Sequence, residues 1–153
     1  MLKNITYSEG WSNIRKKPHN IISREEALRK GENGESFFAE IFDDDILIRV
    51  ISINKDYYSV RFYDENQMLY LIYQFTLINE KLFLTGAYYY EYEKGEKIGH
   101  TIFSFKDDGK MLCEKKNYKS NEIEEREGIV DVSVNWEDIP EFGDYESIIR
   151  TER

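Results

Sequence analysis

The chain has 153 residues, of which 41% are hydrophobic and 33% charged, enough for one domain with a true core and too little for two. Aromatic residues at 15%, with nine glycines and two prolines, exclude a disordered, collagen-like or linker-rich chain. Twenty-one basic against 30 acidic side chains leave a net charge of −9, which excludes the basic footprint expected of a duplex nucleic-acid binder.

In chain order, residues 1–22 read as irregular, with Trp11 as an anchor and Pro18 and Asn20 marking a loop. Ser23-Arg24-Glu25-Glu26 opens a short helix through a capping box, in which Ser23 accepts from the Glu26 amide and Glu26 reaches back. Ala27, Leu28, Arg29 and Lys30 continue it, and Gly31 and Gly34 end it. From Ser36 the pattern changes period: runs of Ile, Val, Phe and Tyr alternate with polar clusters. Strands are predicted at about 36–43, 46–53, 57–63, 68–78, 82–92, 98–105, 110–118 and 128–135, with Asn121 to Glu127 as a charged turn or loop. The connections between Ser36 and Tyr118 are too short for parallel crossovers, so the expected fold is mainly β. It is an antiparallel meander of about eight strands, a strongly curved or barrel-like sheet, with one short N-terminal helix. The single domain, 1–153, divides into a segment 1–35, the meander 36–135 and a tail 136–153. Strands 46–53 and 68–77, apolar on both faces, are expected to lie centrally under the N-terminal segment. An internal echo aligns Phe62 to Leu69 with Phe105 to Leu112, 43 residues apart.

The tail is distinct. Trp136 to Glu146 carries five acids and no base, while Trp136, Ile139, Phe142 and Tyr145 recur at every third position. Aromatic anchors within an acidic rim suit a protein-binding surface for a basic partner, which makes Trp136, Glu137, Asp138, Glu141, Phe142, Asp144 and Tyr145 candidate partner-binding residues. The same spacing also suits a loop docked on the sheet with its acids outward. The run Tyr88-Tyr89-Tyr90-Glu91-Tyr92 puts Tyr88, Tyr90 and Tyr92 on one face of a strand, where they can line a ligand pocket, form an interface or serve as sheet filler. Charge is unevenly spread: residues 1–30 hold seven basic and three acidic side chains, which leaves fourteen basic against 27 acidic for the rest.

Other chemistry is sparse. His19 and His100 have no spacing that joins them, although His100 with a neighbouring carboxylate would provide an acid–base pair. Cys113 is the single cysteine, which excludes an internal disulfide and a Cys-based zinc site. Asp43-Asp44-Asp45 lacks the ligand spacing and turn glycine of a calcium loop. No phosphate-loop, dinucleotide-binding, nucleophile-elbow, zincin or paired-cysteine motif occurs. No cofactor, metal, nucleic acid or membrane is expected, and the start lacks a signal-like apolar run, so a cytoplasmic location is expected.

The compact acidic chain, the tyrosine-rich meander and the tail Asn135-Trp136-Glu137-Asp138-Ile139-Pro140-Glu141-Phe142-Gly143-Asp144-Tyr145 resemble the small immunity proteins of bacterial polymorphic toxin systems. The resemblance implies an antitoxin-type protein that is not an enzyme. Such a protein binds a cognate, basic toxin domain and neutralises it by occluding its active site. No individual residue role is carried over. The alternative expectation from the residues is a small-molecule-binding barrel with a tyrosine-lined pocket, and an exposed aromatic strand also suits a homodimer.

Overall fold

The computed structural model describes residues 3–153. Among them, one antiparallel sheet is built from β1 (Lys3–Ser12), β2 (Lys17–Ile22), β3 (Phe37–Asp43), β4 (Ile46–Ile53), β5 (Tyr57–Tyr63), β6 (Leu69–Ile78), β7 (Lys81–Glu93), β8 (Glu96–Phe105), β9 (Lys110–Asn117), β10 (Ile123–Ile129) and the short β11 (Trp136–Glu137). The helices are α1 (Arg24–Glu32) and α2 (Glu146–Ile149), and Ser133–Asn135 forms a 3-10 turn. Strands β3 to β10 follow one another as the short polar connections require. β1 adds beside β3 with β2 outside it, and β11 pairs with β7. The path runs from β10 to β2 and stays open, so the sheet has eleven strands rather than eight and does not close into a barrel.

The three extra strands arise where hydrophobic alternation is weak. β1 and β2 form a hairpin in the region expected to be irregular, with Tyr7 opposite Ile22 and Trp11 opposite Pro18. β1 puts Ile5 and Tyr7 on the main core but Thr6 and Ser8 on the buried Glu40 carboxylate, at 3.0 and 2.8 Å; those hydroxyls hide the alternation. Pro18 is tolerated because β2 is an edge. The β1–β2 part of the N-terminal segment therefore extends the sheet, and only its helix covers a face. At the other edge, β10 lies over 123–129 instead of 128–135, and every one of its seven residues is exposed. Ladder hydrogen bonds to β9 hold it, not burial, so the expected charged loop is a strand.

α1 begins as read, with the Glu26 amide donating to Ser23 Oγ at 3.1 Å. The return bond of the box is replaced: the Glu26 carboxylate takes Arg29 instead. The helix runs through Gly31 to Glu32, and the left-handed residue after it is Gly34, at φ 71°.

Two clusters hold the fold. On the packed face, Phe37, Ile51, Phe62, Leu71, Phe75 and Leu82 meet Ala27 of α1 and Tyr145, Ile148 and Ile149 of the C-terminal segment. On the opposite face, Leu47, Val50 and Tyr63 form a smaller cluster with Trp11, Phe38, Phe42 and Leu69 around it. Contact between Trp11 and Tyr63 across β3 and β4 fits a sheet curled toward this second, concave face. The sequence echo corresponds to two hairpin turns with one hydrogen-bond pattern: Asp64 N to Met68 O and Gln67 N to Asp64 O in the first, Lys106 N to Lys110 O and Gly109 N to Lys106 O in the second. No described helix is long and apolar enough to cross a membrane.

Candidate functional site

The concave face carries the unusual chemistry. Cross-strand partners share a face, so the register from Val50 through Arg61, Ile72, Tyr88, Ile102 and Glu114 to Glu125 defines one row across seven strands. The next row runs from Tyr90 through His100 and Lys116 to Ile123. Strand periodicity therefore brings Tyr88, Tyr90 and Tyr92 together on one face, with Tyr89 and Glu91 on the other.

Each tyrosine has a different setting. Tyr92 donates to Leu69 O at 2.6 Å, and Lys97 Nζ sits 4.2 Å above the Tyr90 ring. Burial pushes the hydroxyl pKa of Tyr57, Tyr63, Tyr90 and Tyr92 up, and the positive Arg61 lies close enough to Tyr57, Tyr63 and Tyr90 to offset part of that rise.

His100 is bonded at both ring nitrogens. Nδ1 is 2.7 Å from Tyr118 Oη, and Nε2 is 2.8 Å from Glu114 Oε2. An ionised carboxylate only accepts, so Nε2–H donates to Glu114, and in the neutral ring Nδ1 accepts from Tyr118. Gly99 makes this possible: a Cβ there would sit 2.6 Å from Lys116 O, so only glycine lets β8 and β9 approach at this point. The sequence named His100 with a neighbouring carboxylate, and the structure supplies Glu114. Both nitrogens are occupied within the protein, which orients the ring and fixes Tyr118. His19 lies on the distant β1–β2 hairpin, paired with Gly10.

The tail residues divide into two sets. Trp136 pairs with Phe83, ring centroids 4.7 Å apart. Phe142 stacks on Tyr7 at 5.2 Å with Arg24 over its other side. Tyr145 is 4% exposed within the main core. Glu137 binds Arg150 and Arg153, the latter at 2.6 Å, and Arg153 spans the Tyr73 and Phe75 rings. These four side chains fasten the tail to the sheet. Asp138, Glu141 and Asp144 point to solvent. The docked arrangement is therefore the one formed: Asp138, Glu141, Asp144 and Glu146 are exposed, Trp136 and Phe142 are half-buried, and Tyr145 is buried.

Several site residues went unread in the sequence. Arg61 lies in the repeat Tyr57-x-Ser59-x-Arg61-x-Tyr63, where alternation alone would have put it on the tyrosine face. Glu124, Glu125 and Glu127 lie on a strand that buries nothing, so no alternation marks it in the sequence. Cys113 is half-buried on β9, opposite Phe103 and Arg126. Among the described residues, no group of three or more His, Cys, Asp or Glu side chains is arranged to hold a metal ion. No protein-family model matches the chain, and no curated protein sequence and no solved structure matches it.

Proposed function

We propose that this chain is a non-enzymatic binding protein of the immunity or antitoxin kind, which captures and neutralises a cognate basic toxin domain. The observation that carries this reading is β10: a free sheet edge, exposed along its whole length, that carries Glu124, Glu125 and Glu127. A free edge presents a row of unpaired backbone groups, open to an added strand. Its acids repel a second copy of the same strand and attract a basic one, which favours a foreign partner over a homodimer. Ile123 and Ile129, exposed at either end, add apolar contact.

In this mechanism the acidic chain steers the partner to the β10 edge, and the aromatic concave face beside it supplies the docked area. The interface expected on the tail shifts to the sheet, because the aromatics of the tail are committed to the core. The test is co-expression with the C-terminal domain encoded by the gene immediately upstream. Toxicity of that domain alone, relieved by this chain through a complex that can be isolated, supports the reading. A non-toxic neighbour and no complex overturn it.

A further inference from the structure

Arg61 is an anomaly that the binding reading does not use. Its Nε and Nη1 are shut off from solvent, and neither makes a hydrogen bond. No ion pair and no aromatic ring engages the guanidinium among the described residues. The other inward arginines each have an acceptor, although Arg153 Nε is itself buried without a partner. Arg49 donates to Ile149 O and Ile48 O and lies over Phe62, while Arg153 holds Glu137. A guanidinium cannot shed its charge as a lysine can, and a desolvated charge without a partner is costly. In a chain with 30 acidic side chains, this half-buried guanidinium has been left without one.

Its surroundings are suited to donate rather than accept. Val50 and Ile72 flank Arg61 on the neighbouring strands and give it no counter-charge. The Tyr57 and Tyr90 hydroxyls lie within its electrostatic reach, and Tyr88 stands in its own row two strands away. Neither the Tyr88 nor the Tyr90 hydroxyl makes a hydrogen bond with a described residue. Lys97, held over the Tyr90 ring, adds a second cation beside them.

From this we infer that Arg61, with the hydroxyls of Tyr88 and Tyr90 and with Lys97, forms an oxyanion-binding site on the concave face. Its ligand is a carboxylate or phosphate group carried on an aromatic or apolar body. Arg61 supplies the charge-assisted hydrogen bond, the hydroxyls donate to the remaining oxygens, and the tyrosine rings pack the body of the ligand. This inference stands whether or not the partner is a toxin.

The test is a titration of the full chain with benzoate and, separately, with inorganic phosphate, followed through the arginine Nε–Hε NMR signals at constant ionic strength. The expected result is a saturable shift of the signal that disappears in Arg61→Gln, with at least one of the two probes. The double variant Tyr88→Phe/Tyr90→Phe keeps both rings, so it tests the site even if Arg61→Gln fails to fold. Loss of its hydroxyls should weaken binding roughly ten-fold. Preference between the probes identifies the ligand as carboxylate or phosphate. No saturable shift with either probe, or equal affinity in the double variant, overturns the site.

Discussion

The indole N–H of Trp11 donates to the Tyr63 hydroxyl at 3.1 Å, although β3 and β4 lie between their two strands. Three strand spacings in a flat sheet would separate β1 from β5 by roughly 14 Å. The ring centroids stand 6.2 Å apart, so the two side chains lean toward each other across the intervening strands, as a sheet curled toward this face favours. Lys16 Nζ on Gln67 O, at 2.6 Å, closes the same curl at the turns. Trp11→Phe keeps most of the packing but loses the bond and should cost about 1 kcal/mol. Trp11→Ala also removes the ring and should cost about 2–3 kcal/mol. Urea denaturation of both variants beside the parent checks the order; a Trp11→Phe variant as stable as the parent would mean that the bond contributes nothing.

Two adjacent acids of the tail should behave in opposite ways. Glu137 is 9% exposed and faces Arg153, itself 8% exposed, whereas the Asp138 side chain is 89% exposed. Removing one partner of a buried pair strands the other, so Glu137→Gln should cost about 3 kcal/mol. Asp138→Asn should change stability by less than about 0.5 kcal/mol, since its contact with Lys81 at 3.5 Å is solvent-screened. Thermal midpoints measured side by side give the answer.

This contrast shows what was legible in the sequence and what was not. Composition placed Glu137 and Asp138 in one acidic cluster, because nothing local distinguishes an acid that will meet an arginine sixteen residues later. The meander from β3 to β9 was readable because its strands alternate and its turns carry Asp, Asn and Gly. The hairpin β1–β2 was hidden by Thr6 and Ser8, polar residues that point inward to Glu40, and β10 was hidden because it buries nothing. The tyrosine face followed from the two-residue period of β7. Its relation to Arg61 and Glu114 depended on register across neighbouring strands, which sequence spacing does not contain.

Glu40 should make the protein less stable as pH rises. Burial drives its pKa up to about 7, and the hydroxyls of Ser8 and Thr6 recover only part of the cost. The single Ser8 proton cannot serve both Gly10 O at 2.9 Å and Glu40 Oε2 at 2.8 Å. A protonated Glu40 resolves this by donating to Ser8 Oγ. The folded pKa lies above the unfolded value of 4.5, so the native state binds the extra proton between these limits. The stabilisation is complete below about pH 4.5 and is lost as pH rises through about 7, a total on the order of 3 kcal/mol. Glu40→Gln supplies a permanent N–H donor in the same place. It should be more stable than the parent at pH 8 and lose the slope between pH 4.5 and 7. Denaturation curves at several pH values test this; a parallel slope in the variant would assign the pH dependence to other groups.

The two acidic surfaces can be told apart by association kinetics. Glu124, Glu125 and Glu127 form no ion pair with a described residue, and Glu125 faces the like-charged Glu114 across the ladder. Lys115 opposite Glu124 and Arg126 within β10 offset part of their field, but no ion pair neutralises it. Asp138, Glu141 and Asp144 lie on a segment that also holds Arg150 and Arg153 and sits near Arg24 and Lys81, which weakens the field there. Both triple reversals to lysine alter exposed positions and should leave the fold intact. Reversal on β10 should slow association with the toxin domain roughly ten-fold or more at low salt, and the tail reversal should do less. The difference should shrink as added salt shortens the screening length to about 3 Å near 1 M. Stopped-flow mixing across a salt series measures both. A larger effect from the tail set would return the interface to the C-terminal segment, with its acids steering the partner and its aromatics acting only as struts beneath them.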